Sequence, residues 1–395
     1  MISKILRFEL RNRLKQWTTG LFMLMMLVQG VWFSKGYYDF YGGDGMLINS
    51  AGVAYQNLAG CGLLLIIVVS IITGPMLYKD IQYKTGGWLY ALPIHEKGFF
   101  MGRFLAAFLT NSFIGFFYIV GILITPYSGI GEPSLFGPAP IGQMLHGFFI
   151  LTVPNLFLLT SLCFFALVLF KKPAAGYLAI FLTVISFLLM QTDAETSGFT
   201  LLNRMADAFA FVPTSEQIEL MSVAERNTSY LSLSGYLLAN RLLYLGVALT
   251  LLGVAYRKFT FKSFLGAGNQ KKRSRTTPLA PVPSSPATSK AKLFIPQLQY
   301  DTPAFLKKLF TLSRLEFLNL VRPVSFRFIG GIMVLMAVLQ NLIWNASYYI
   351  GPQFPVTSSM TNFRLTYNVF IIILLMIWAG ELFFKDKVVN MWQIT

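Results

Sequence analysis

Long apolar runs that are nearly free of charge recur along the chain and set its architecture. Runs of about 18 residues or more, enough to cross a bilayer as a helix, lie near residues 18–34, 52–78, 103–125, 147–170, 174–192, 234–256, 328–346 and 365–384. This pattern predicts an all-α integral membrane protein with about eight transmembrane helices, because a helix satisfies its own backbone groups in hydrocarbon. Residues 2–17 follow a different rule. At 100° per residue Ile2, Ile5, Leu6, Leu10, Leu14 and Trp17 share a broad arc and Lys4, Arg7, Arg11 and Lys15 cluster opposite, with Arg13 interrupting the pattern. Such a segment reads as a basic helix lying on the membrane among anionic lipid headgroups.

Composition agrees with a membrane protein: 55% of residues are hydrophobic and 12% are charged. A net charge of +16 raises the question of nucleic acid, and the placement of the basic residues answers it. With a cytosolic N-terminus, all of the 32 Lys and Arg except Lys35, Arg204, Arg226, Arg241 and Arg364 fall on the inner side or at inner helix ends. That is the positive-inside bias of a bacterial cytoplasmic membrane protein, so no nucleic-acid partner is expected. The first apolar run lacks a small-x-small cleavage site and is expected to be retained. Cys61 and Cys163 both fall inside spans and imply no disulfide framework.

Between the spans the connecting segments differ in kind. Tyr78 to Arg103 reads as a cytosolic loop that mixes charges with Trp88, Leu89, Leu92, Ile94 and Phe99, more apolar surface than an idle loop exposes. Pro93 would end a short helix at the residue before it, leaving a docking knob. Residues 126–145 are rich in Gly and Pro and read as irregular outer structure, and 193–233 as one or two short helices at the outer interface. Asn227-Thr228-Ser229 matches the glycosylation acceptor pattern only weakly. Residues 263–302, rich in Pro, Ser, Thr and Lys, read as a flexible basic cytosolic linker between membrane halves 1–262 and 303–395.

The second half repeats the beginning of the first. Arg7-Phe8-Glu9-Leu10-Arg11-Asn12 matches Arg314-Leu315-Glu316-Phe317-Leu318-Asn319, and Gly74 to Asp80 (GPMLYKD) matches Gly380 to Asp386 (GELFFKD), with their separation maintained to within one residue. The copy reaches an interface helix and two spans, and ends before any counterpart of Leu92-Pro93-Ile94. A degenerate repeat and a chain cut short both account for this, and the break inside the copied loop favours the second.

An amphipathic N-terminal helix with a Phe-Glu-x-Arg pattern, two spans, and then a stretch of the form KD…T…W…ALPI…E…GRF resembles the permease subunits of ABC-2 type transporters, in particular the large Bacteroidetes permeases. Val223 to Phe261 looks like the end of their first six-helix unit. The resemblance implies a six-helix ABC-2 type unit plus the start of a second repeat, with amphipathic interface helices carrying Arg7, Glu9, Arg11, Arg314 and Glu316. It also implies a loop that docks on a separate ABC ATPase subunit, carried here by Lys79, Asp80, Thr85, Trp88, Leu92, Pro93, Ile94 and Glu96, together with Arg103. Membrane lipids are the other implied partner, and a homodimer is admitted. Export is the implied direction.

The chemistry missing from the sequence narrows this further. No G-x-x-x-x-G-K-[ST] loop occurs, so the chain is not expected to be an enzyme or to hydrolyse ATP itself. His95 and His146 have no Cys or carboxylate cluster beside them, so no metal or other cofactor is expected, and a solvated role is the reading for each. Arg241 is the intramembrane charge that would mark a pathway, but lying near an outer end it is expected to snorkel to headgroups. The many Phe residues are expected to face lipid. A membrane anchor for a metallopeptidase-like domain absent from this chain is the alternative function, since some relatives carry one and no HExxH motif occurs here. An ion-driven carrier would need acids at mid-span, and the spans hold almost none.

Overall fold

A computed structural model describes residues 1–41, 45–83, 93–171, 201–261 and 302–321. They are helical, with no strand among them. In chain order the helices are α1 (Ile2–Leu14), α2 (Trp17–Tyr41), α3 (Ala51–Gln82), α4 (Glu96–Ile124), α5 (Ile141–Phe170), α6 (Leu201–Ala206), α7 (Phe211–Glu219), α8 (Val223–Thr228), α9 (Gly235–Lys258) and α10 (Thr302–Val321). Four of them, α2, α4, α5 and α9, are long and apolar enough to cross a membrane. Bent by 43° between Ala51–Ile66 and Val68–Asp80, α3 makes a fifth if its two segments count as one span. The chain is thus a multi-pass helical membrane protein. The runs near 174–192, 328–346 and 365–384, and most of the linker, lie outside the described residues.

The described residues belong to two units. The first holds everything up to Phe261 and one continuous core. In it α4 packs on α1, α2, α3 and α5, and α5 packs in turn on α3 and α9. Helix α10 belongs to the second unit; it is the helix expected from the repeat and its Arg314 is exposed, while the side chain of Glu316 lies outside the described residues.

Lipid tails are as apolar as leucine, so helices in a membrane associate through close backbone approach and through polar contacts. Both are present. A Cβ on Gly121 would lie 2.2 Å from the Leu27 carbonyl oxygen, and one on Gly30 would lie 2.3 Å from that of Tyr118, so α2 and α4 touch through a pair of glycines. In the bundle interior Asn111 of α4 donates to Thr73 Oγ1 of α3 at 3.0 Å and Thr160 Oγ1 of α5 at 3.3 Å. Tyr118 donates to Asn57 Oδ1 at 3.0 Å. In α5 a π-helical turn, Phe148–Thr152, precedes Pro154, where the missing amide and the ring are incompatible with regular α-helical bonding.

Not all the Phe residues face lipid. Phe100, Phe104, Phe164 and Phe259 are fully buried. Phe100 and Phe104 meet Phe164 edge to face at 5.5 and 5.3 Å, joining α4 to α5, and Phe259 stacks on this group from the end of α9. Ring quadrupoles favour such edge contacts, which gives part of the aromatic excess a packing role. Phe113, Phe116 and Phe149 remain exposed, as expected.

Replacing Gly121 with Val forces α2 and α4 apart and is expected to lower stability by about 1–3 kcal/mol. At Gly246 of α9 a Cβ meets nothing within 4 Å, so Gly246→Ala is expected to leave stability unchanged or raise it by up to about 1 kcal/mol. Thermal unfolding in mild detergent distinguishes the two.

Candidate functional site

Glu9 is the most unusual side chain at the α1 end of the bundle: a carboxylate only 2% exposed on a helix expected to lie on a lipid surface. Lys79 of α3 donates to both of its oxygens, at 2.8 and 2.9 Å. Arg103 of α4 places Nε 3.2 Å from Glu9 Oε1, an ionic contact without hydrogen-bond alignment, and turns its other nitrogens to Asp80. The guanidinium also lies over the Phe99 ring, 4.1 Å from its centre. Buried Arg13 completes the group, donating to Gln16 Oε1 at 3.0 Å. Burial lowers the Arg13 guanidinium from its usual value; Glu9 raises it again and Arg103 adds to the lowering.

This cluster corrects the reading of α1. Helix α1 packs on α4, with Ile5 against Gly102 and Met1 against Gly98, and its Ile5, Leu6 and Leu10 join the protein core instead of entering lipid. Both Glu9 and Arg13 fall within the apolar arc, and the irregularity at Arg13 marks a side chain buried against the protein.

The segment read as a loop from Tyr78 to Arg103 is shorter than expected. Helix α3 continues to Gln82, and α4 begins at Glu96, so Lys79, Asp80, Glu96 and Arg103 are all helical. Pairing with Glu9 and with one another lets Lys79, Asp80 and Arg103 extend the two helices beyond their apolar stretches. Pro93 is exposed and Ile94 packs at the edge of the core, both in extended chain leading into α4. Thr85, Trp88 and Leu92 lie outside the described residues.

Glu96 has a structural partner, for its Oε1 accepts from Phe261 N at 2.8 Å. Beside it Lys97 donates to the carbonyls of Tyr256, Arg257 and Phe259, the last two at 3.0 and 2.9 Å. The first turn of α4 therefore caps the end of α9, where backbone carbonyls lack helical partners. Arg7 and Arg11 are exposed.

The opposite end of the bundle carries a second polar cluster. Arg241 of α9 is 6% exposed and does not snorkel. It donates to Asn155 Oδ1 of α5 at 2.8 Å, to Asn240 Oδ1 at 2.7 Å and to the Ala208 carbonyl at 3.2 Å. The short helices α6, α7 and α8, one more than the upper expectation, lie at this end, and the turn between α6 and α7 supplies the Ala208 carbonyl. Asp207 is buried between α6 and α7 and accepts from the amides of Phe209 and Val212 at 2.9 and 2.7 Å. Burial raises its carboxyl above the usual range, and those amides and Arg241 work against the rise.

Other outer residues also have structural duties. Asn227 bridges the Leu47 amide and the Gly45 carbonyl, so its side chain is committed to the fold. His146 is bonded rather than merely solvated: Nδ1 lies 3.0 Å from the Tyr55 hydroxyl. No group of His, Cys, Asp and Glu suited to a metal occurs among the described residues.

Glu9→Gln leaves Lys79, Arg103 and Arg13 facing Asp80 alone and is expected to cost about 3 kcal/mol. The exposed control Arg7→Gln should cost less than about 0.5 kcal/mol. At the other end Arg241→Lys is expected to cost about 2 kcal/mol, because one ammonium cannot replace a planar fork directed at Asn155, Asn240 and Ala208. Thermal unfolding in detergent measures all three.

Comparison of the chain with protein-family models, with curated proteins and with solved structures finds no match.

Proposed function

We propose that the chain is the membrane-spanning permease subunit of an ABC-2 type ABC transporter, acting in export. In this reading it lies in a bacterial cytoplasmic membrane with its N-terminus cytosolic, and a separate ATPase docks on the segment between Lys79 and Arg103. Residues 1–262 form the first six-helix unit and 303–395 the start of a second, with about eight spans in all.

The observation that supports the reading most is the convergence of Lys79 and Arg103 on Glu9, with Asp80 paired to the same Arg103. These four residues come from separate parts of the resembled pattern: the N-terminal helix, the end of the second span and the start of the third. The segment between the two span ends is the expected docking element. A displacement of that segment by ATP-driven closure of the ATPase pair acts on α3 and α4 together, and on α1 through Glu9. The chain itself contributes differential contacts with two states of the transporter and no bond chemistry.

The test begins with purification of the full chain in mild detergent and identification of a co-purifying Walker-type ATPase. Trp88→Ala and Leu92→Asp are each expected to reduce stimulation of that ATPase roughly tenfold or more, the scale of an interface hot spot, with unfolding temperatures unchanged. Normal coupling in both variants would refute the docking assignment. Absence of any ATPase under several gentle conditions would transfer support to the membrane-anchor reading.

A further inference from the structure

With Ile5, Leu6 and Leu10 of its apolar arc packed on the protein, α1 leaves its basic face exposed. Lys4, Arg7, Arg11 and Lys15 are all exposed, at helical spacings that place them in one stripe about 16 Å long, and exposed Phe8 lies within it. Among the described residues no acid forms a salt bridge with any of these four cations.

The position of the stripe is fixed by the corner that follows it. Helix α1 ends at Leu14 and the first span begins at Trp17, whose ring is 76% exposed. The corner is braced by Thr19 Oγ1 donating to the Arg13 carbonyl at 2.8 Å and by the Gln16 amide donating to the same oxygen at 3.0 Å. Only Lys15 and Gln16 separate the helix from a membrane-crossing segment, so the stripe is held at headgroup level. Interfacial tryptophan and a basic flank belong to that depth.

We propose that this outer face of α1 binds the headgroups of anionic phospholipids. The attraction is mainly electrostatic, since Ile5, Leu6 and Leu10 of the apolar arc are already packed against Gly102 and the core and only its ends, Ile2, Leu14 and Trp17, are exposed. It therefore requires headgroup charge and weakens with salt. The proposal depends on the membrane-spanning fold and is independent of the transporter reading.

The experiment is native mass spectrometry of the full chain with phosphatidylglycerol or phosphatidylcholine, at low and high ionic strength. Wild-type protein is expected to retain phosphatidylglycerol preferentially and to lose the preference at high salt. Arg7→Gln and Arg11→Gln should each weaken it about fivefold, and the combined variant K4Q/R7Q/R11Q/K15Q about a hundredfold or more, with unfolding in phosphatidylcholine unchanged. Equal retention of the two lipids by wild type, or undiminished phosphatidylglycerol retention by the single and combined variants, would overturn the proposal. So would a stripe saturated by an acidic protein with no lipid preference.

Discussion

The burial of Glu9 constrains more of this molecule than any other contact. A carboxylate withdrawn from water loses several kcal/mol or more of hydration, and only well-placed cations and donors offset that loss. Lys79 and Arg103 supply them from α3 and α4, and Arg103 is in turn satisfied by Asp80. Each member is tolerable in its place because of the others. The helix at the N-terminus, the end of one span and the start of the next are consequently joined by charge at a point where apolar burial alone would leave their relative rotation loosely defined.

The two ends of the bundle solve a related problem differently. At the α1 end, acids and bases pair directly, and the helices run past their apolar stretches as charged extensions. At the opposite end Arg241 donates to neutral acceptors, Asn155, Asn240 and a backbone carbonyl, and forms no salt bridge among the described residues. Neutral acceptors satisfy the geometry of the guanidinium, and buried Asp207 offsets part of its charge without a salt bridge. Asn155 also donates to the Phe209 carbonyl at 3.2 Å, so the same residue ties the covering segment to α5. Between the ends, glycine contacts and the Asn111 bonds align the helices without charge.

Hydropathy was sufficient to find the helices and insufficient to find their partners. The central stretches of α2, α4, α5 and α9 follow from uninterrupted apolar runs, since the bilayer imposes a length on each. The extension of α3 and α4 through Lys79, Asp80 and Arg103 was invisible to the same criterion, because a charged residue ends an apolar run whether or not a distant residue neutralises it. Glu9 and Arg13 did leave a trace, as charges inside an apolar arc, but the partners of Glu9 lie many residues away and no local pattern names them. Arg241 misled for the opposite reason. Its depth near a span end permits snorkelling, and the helices that cover it come from a segment whose apolar content is modest. Asn227 shows the same limit at the scale of three residues: the motif was readable and its hydrogen bonds to Gly45 and Leu47 were not.

A membrane removes the general pressure that drives apolar faces together in water, so directional contacts decide which helices move as a body. Helices α3 and α4 share Asn111 with Thr73 in the interior and Glu9 with Lys79 and Arg103 at the end. A load applied between Gln82 and Pro93 therefore meets two helices braced at two depths. Local bending at the ends would have to separate Glu9 from its cations and leave buried charge unpaired, a cost of several kcal/mol. Tilting the helices as a pair keeps those ions together. The contacts that hold α3 and α4 to each other also reach α1 through Glu9 and α5 through Thr160, so the pair is braced on more than one side.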